Sequence, residues 1–178
     1  RETPYARTAV VFAANPRVKP SGIALAEAVD IYGGRITRWK DGTLLRLILR
    51  PAADTDTDTL RAMSPQMAAA VGLALGREGM FVAMTDQDCA TAIEKTKGAF
   101  GATTLSLVIS EKRKIKVLSL SGVFPSGKTV RDGSYPYTKT FFLVTGPDPS
   151  PAAERFIRFV RSPAGISILA RTGHVPLP

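Results

Sequence analysis

A chain of 178 residues with 44% hydrophobic and 22% charged residues has the composition of one globular domain or slightly more, with enough apolar material for a core. Its longest apolar runs, such as residues 9–14 and 67–75, fall far short of the roughly 20 residues that cross a bilayer, so no membrane-spanning helix is expected. The net charge of +9 is scattered, and the one compact run, Glu111-Lys112-Arg113-Lys114-Ile115-Lys116, reads as a solvated hairpin loop; a nucleic-acid face needs a denser basic stripe with interleaved aromatics.

The single Cys89 excludes an internal disulfide and cysteine-cluster metal sites. No signal peptide is visible where Arg1-Glu2-Thr3-Pro4 leads into a β-like run, which reads as the start of a mature or trimmed product.

Residues 5–14 are apolar and β-branched in their centre and end at Asn15-Pro16, which predicts a buried strand. Leu25, Ala28, Val29 and Tyr32 recur at helical spacing ahead of Gly33-Gly34, so a helix is expected over 24–32. A second strand is predicted at 44–49, bounded by Asp41-Gly42 and Pro51, and a helix opens within Asp54-Thr55-Asp56-Thr57-Asp58-Thr59. Ser64-Pro65 starts another helix that runs to Leu75, with Gly76 as its stop. A strand at 80–84 follows, then a helix capped within Thr85-Asp86-Gln87-Asp88. Gly98-Ala99-Phe100-Gly101 reads as a turn, 103–109 and 115–120 as strands, and the stretch through Pro125, Gly127 and Gly133 as a loop. A strand at 137–145 and two serial helices, 151–161 after Ser150 and 163–171 after Ser162, complete an α/β pattern.

Four separated stretches stand out in order. They are Ile31-Tyr32-Gly33-Gly34 with Ile36 and Trp39-Lys40-Asp41-Gly42, then Gly98-Ala99-Phe100-Gly101, then Gly122-Val123 with Pro125 and Gly133-Ser134-Tyr135-Pro136. The last is Phe156-Ile157-Arg158-Phe159-Val160-Arg161-Ser162-Pro163-Ala164-Gly165 with Gly173-His174-Val175-Pro176-Leu177. Together they resemble the phosphate-type periplasmic solute-binding proteins, the receptor components of phosphate ABC transporters. The resemblance implies a type II periplasmic-binding-protein-like α/β fold, in which two lobes joined by crossing strands close over an oxyanion. Residues 1–135 would form a near-complete second lobe, and residues 136–178 the crossing strand and C-terminal helices belonging to the first lobe. Family members begin with about 80 further residues, a domain-sized piece that builds most of the first lobe and supplies part of the ligand shell. The implied partners are a small oxyanion, phosphate foremost, and the membrane components of an ABC transporter, in a periplasmic or exported setting, with no nucleic acid, metal or cofactor. A non-transport sensor or scaffold with a degenerate ligand site is the alternative.

Site candidates follow from the same resemblance. An oxyanion held without metal needs fixed donors, which a helix N-terminus and an arginine fork supply. The family places Ser-Gly-Thr at a helix start four residues after an arginine; here Arg50 is followed by Asp54-Thr55-Asp56. Arg50, Asp54, Thr55, Asp56, Thr57, Thr85 and Asp86 are therefore the ligand-binding candidates. Each has a plainer reading, a surface arginine and capping side chains. The aspartates put negative charge where the family presents donors, which leaves three options: a ligand that carries a proton, a polar or cationic ligand, or a lost site. Asp54, Asp56 and Asp58 have the alternate spacing of a calcium loop, but Thr59 and Pro65 stand where that loop needs Gly and Glu. No enzyme is expected, since His174 is the only histidine and Cys89 falls within a predicted helix without a base partner.

Overall fold

The computed structural model describes residues 1–177. In chain order the elements are β1 (Glu2–Ala14), β2 (Gly22–Ile23), α1 (Leu25–Tyr32), β3 (Arg46–Leu49), α2 (Thr55–Ala62), α3 (Pro65–Leu75), β4 (Phe81–Val82), α4 (Asp86–Lys95) and β5 (Ala99–Thr104). There follow α5 (Leu105–Ser110), β6 (Lys116–Val117), β7 (Ser119–Leu120), α6 (Gly127–Arg131), β8 (Thr138–Val144), α7 (Pro151–Arg161), α8 (Pro163–Arg171) and β9 (Val175–Pro176).

β1 organises the molecule. Its second half is a continuous apolar run, buried as a strand covered on both faces must be, and pairs antiparallel with β5 from Val10↔Thr104 to Ala14↔Phe100. Its first half pairs with β8 from Glu2↔Val144 to Ala9↔Thr138 and, through Ala6 and Arg7, with β9. The sheet order is β4-β3-β5-β1-β6, with β3 parallel to both β4 and β5. The segments on either side of residue 135 thus share β1, since β8 and β9 return to its first half. Pro178, the last residue of the 136–178 segment, lies outside the described residues.

One face of the sheet packs on α1 and α3 around Phe12, Phe100, Tyr32 and Trp39, with the Phe12 and Phe100 rings stacked at 5.3 Å. The other face carries a smaller core of Ile48, Ala83, Cys89 and Ile93 under α4. Trp39 is a packing residue: its indole N–H donates to the Gly98 carbonyl at 2.8 Å and its ring meets Phe100 edge-on. Two of the resembled motifs are therefore in contact. Gly98 has φ +76°, and a Cβ there would lie 2.2 Å from the Leu44 carbonyl oxygen. Gly98→Ala is expected to cost about 2–3 kcal/mol, from left-handed backbone plus a clash with main chain, seen as a lower urea midpoint at unchanged slope.

Five expectations are corrected. The strand expected over 103–109 ends at Thr104, whose hydroxyl accepts the Leu107 N–H at 3.4 Å and opens α5. A short apolar run fits a buried strand and a buried helix equally well. Gly98 alone turns, and Ala99–Thr104 is central strand. The strand expected over 115–120 breaks at Leu118 into β6, beside β1, and β7, which pairs with β2. The basic run joins α5 to β6 with Lys112 at φ 53° and is no hairpin loop. Within the expected loop through Gly133, Ser126 caps α6 by accepting from Thr129 N–H at 3.1 Å.

Candidate functional site

β3 and β4 are parallel neighbours, and each is followed closely by a helix start. After β3 the chain turns at Pro51, and Asp54 caps α2, its Oδ1 accepting from the Asp56 N–H at 2.9 Å. Thr57 donates its hydroxyl to the Pro51 carbonyl at 2.9 Å, closing the turn. After β4, Thr85 caps α4 by accepting from the Asp88 N–H at 3.0 Å. Two helix N-termini, each with partial positive charge, thereby sit at the carboxyl end of the sheet, the place where open α/β folds bind ligands.

Arg50 lies between them. Its side chain is only 6% exposed; Nη1 donates to the Ala83 carbonyl at 2.8 Å, Nη2 donates to Asp54 Oδ2 at 2.6 Å, and Nη2 is ion-paired with Asp86 Oδ1 at 2.8 Å. Asp56 is fully buried, and its Oδ1 accepts from Lys139 Nζ at 3.0 Å. Lys139 also stands 3.8 Å from Asp86 Oδ2. Burial pushes the Asp56 carboxyl up from the usual carboxylate range, with the Lys139 ammonium opposing that shift. Arg50 Nε and Asp56 Oδ2 are buried without a hydrogen-bond partner.

Two cations thus face three carboxylates, so the ionised cluster has one formal negative charge in excess, and a proton on Asp56 makes it neutral. The oxygens of Asp54, Asp56 and Asp86 come within 4.8 Å of one another, close enough for a hard cation. Arg50 and Lys139 already occupy that field, so a metal ion would have to displace or face two fixed positive charges.

Of the residues expected from sequence, Arg50, Asp54, Asp56 and Asp86 are brought together. Thr57 is buried with its hydroxyl spent on the turn, whereas Thr55 and Thr85 are exposed at the two helix starts. Lys139 was not foreseen: no motif marks it, and only the β8 register, Thr8↔Lys139, carries it to Asp56. Cys89 is a core thiol that burial pushes up to about 12, with Sγ 3.2 Å from the Ala102 carbonyl oxygen. His174 Nδ1 meets the Thr172 hydroxyl at 3.0 Å, and its ring packs on Phe141.

No curated protein matches the sequence. Among solved structures, the fold is similar to a putative phosphate ABC transporter substrate-binding protein with bound phosphate from Clostridium perfringens, with a TM-score of 0.84 at 17% identity, covering 100% of this chain and 72% of that one. It is also similar to a phosphate-binding protein from Stenotrophomonas maltophilia, with a TM-score of 0.71 at 14% identity, over 99% of this chain and 67% of that one. An ABC-type phosphate transport receptor from Vibrio cholerae gives a TM-score of 0.67 at 15% identity, over 100% and 72%. The family model described as the PBP superfamily domain matches residues 1–164. The chain belongs to the PBP superfamily domain family and has the α/β fold of type II periplasmic binding proteins.

Proposed function

We propose that this chain is the ligand-gripping part of a solute-binding protein that captures phosphate, or a related oxyanion still carrying a proton, between two lobes. Residues 1–135 form one lobe in this reading, and residues 136–178 return to the other. The observation that carries it is the convergence of the α2 and α4 N-termini with Arg50 and Lys139 beyond the carboxyl ends of β3 and β4. The phosphate named for the similar Clostridium structure supports the choice of ligand. Delivery to ABC transporter membrane components and an exported setting belong to the same reading, and no catalysis does.

The aspartates set the selectivity. A carboxylate beside an oxyanion repels it unless the ligand donates a hydrogen, which hydrogen phosphate can and sulfate cannot. Affinity should therefore fall as pH rises and the monobasic form, dihydrogen phosphate, gives way to the more highly charged dianion with one hydrogen fewer to donate. A single lobe offers few free donors, because Arg50 is spent on Asp54, Asp86 and Ala83. The 178-residue chain alone is expected to bind phosphate weakly in calorimetry, and micromolar binding would show that no second wall is needed.

That same internal pairing favours a second reading, a sensor or scaffold whose small-molecule site has been closed by its own carboxylates. Asp54→Ser with Asp56→Ser separates the two: a captured oxyanion admits sulfate once the carboxylates are gone, whereas a closed site shows no selectivity to relax.

A further inference from the structure

We propose that a groove at the open edge of β3 is a second ligand site, one that takes a small amphipathic carboxylate. The groove arises from unequal strand lengths. β3 spans four residues, but β4 spans two and pairs only with Ile48 and Leu49. Just upstream of the strand, the Thr37 carbonyl accepts the Leu45 N–H at 2.9 Å. β5 covers the other edge at Arg46 and Leu47, but on the β4 side, between these two covers, no strand lies against them, and a cavity of about 440 Å³ opens there, a size typical of sites for small organic ligands.

The walls state the chemistry. Leu45, Leu47, Met80 and Phe81 present apolar surface, and Phe81 is 56% exposed with nothing over it. Arg46 and Arg77 also line the groove, and no aspartate or glutamate does. Arg77 Nη2 donates to the Tyr32 carbonyl at 3.0 Å, and Arg46 Nη1 to the Lys97 carbonyl at 3.0 Å; among the described residues neither arginine is ion-paired. Gly34, at φ +81°, leaves room for the Arg77 guanidinium, which a Cβ there would approach to 2.6 Å. Two uncompensated forks beside an apolar floor fit a planar carboxylate with a hydrocarbon body. A cation is repelled, and inorganic phosphate or sulfate leaves the apolar walls wet.

The site is separate from the aspartate cluster and does not rest on the proposed function. Arg46 begins β3 and Arg50 follows its last residue, about 13 Å apart along extended chain. The opposite charge balance of the two places makes them distinguishable by ligand.

The test is an amide chemical-shift titration of the 178-residue chain with 4-phenylbutyrate, with 4-phenylbutylamine as the charge-reversed control. Shifts confined to Leu45, Leu47, Met80, Phe81 and their neighbours, with the amine at least about tenfold weaker, are expected. Arg46→Gln with Arg77→Gln should weaken the carboxylate by about tenfold or more, the scale of a charged hydrogen bond. Phe81→Ser, on the exposed rim, should weaken both probes without touching the fold. Equal binding of acid and amine, shifts scattered over the surface, or affinity unchanged in both the arginine and the Phe81 variants would overturn the site.

Discussion

Arg50→Ala is expected to destabilise the protein by about 3–5 kcal/mol, read as a large fall in the urea midpoint at neutral pH. The guanidinium is nearly inaccessible and contacts both Asp54 and Asp86. Its removal leaves Asp54 without a counter-charge and Asp86 with only Lys139 at 3.8 Å, each carboxylate less than a third exposed, and strips the Ala83 carbonyl of its donor. Breaking a buried pair from one side costs more than the pair is worth, because the surviving charges stay desolvated. Arg50→Lys keeps the charge but cannot span Asp54, Asp86 and Ala83 together, so an intermediate loss is expected. An Arg50→Ala variant as stable as the parent would mean that the cluster is solvated, contrary to its burial.

Lys139→Met is expected to cost about 3 kcal/mol at pH 8 and progressively less toward pH 4. Burial already holds the Asp56 carboxyl above its ordinary range, and Lys139 is the main influence opposing that rise. A carboxyl raised on folding stabilises the native state while it is protonated, and this contribution is lost as pH rises through the folded value. Without Lys139 the folded value climbs further, so the variant goes on losing stability to a higher pH than the parent. Near pH 4 and below, the protonated acid needs no ammonium partner, and the two proteins converge. Asp56→Asn added to Lys139→Met removes the group that titrates, and the stability difference from the parent should then lose most of its pH dependence. Urea titrations of the three proteins at several pH values give the comparison. A Lys139→Met penalty that stays constant, or grows on acidification, would contradict the assignment of Asp56 as the responsible group.

The parts of the fold that were legible in the sequence are those set by chemistry within a few residues. Ser64-Pro65, Ser150-Pro151 and Ser162-Pro163 each begin a helix where serine caps and proline enters the first turn, and the helix bounds follow directly. Thr85 and Asp54 are similarly local, since each accepts from an N–H two or three positions on. Asp54 has a double duty, with one oxygen capping α2 and the other holding Arg50.

What was not legible depends on distant partners. Residues 103–109 bear β-branched and apolar side chains except at Ser106, but Gly173 packs against Ser106 and the Thr8 hydroxyl accepts the Ser106 N–H at 3.1 Å, contacts that belong to the helical form. That Arg50 would be spent on Asp86 requires β3 and β4 to be adjacent, which no local pattern states. Lys139 is an unremarked residue in a strand until β8 is laid on β1.

The measurement closest to the central claim is an amide chemical-shift titration of the unmodified chain with phosphate and with sulfate at matched ionic strength and mildly acidic pH. Binding need not be tight for this readout. The account predicts that phosphate moves the amides at the starts of α2 and α4, Thr55, Thr57, Thr85 and Asp86 among them, while sulfate at the same concentration leaves them in place. The phosphate shifts should shrink as pH rises and the monobasic form gives way to the dianion. Equal displacement by both anions, or phosphate shifts that avoid both helix starts, would contradict an oxyanion site built around Arg50 and its aspartates.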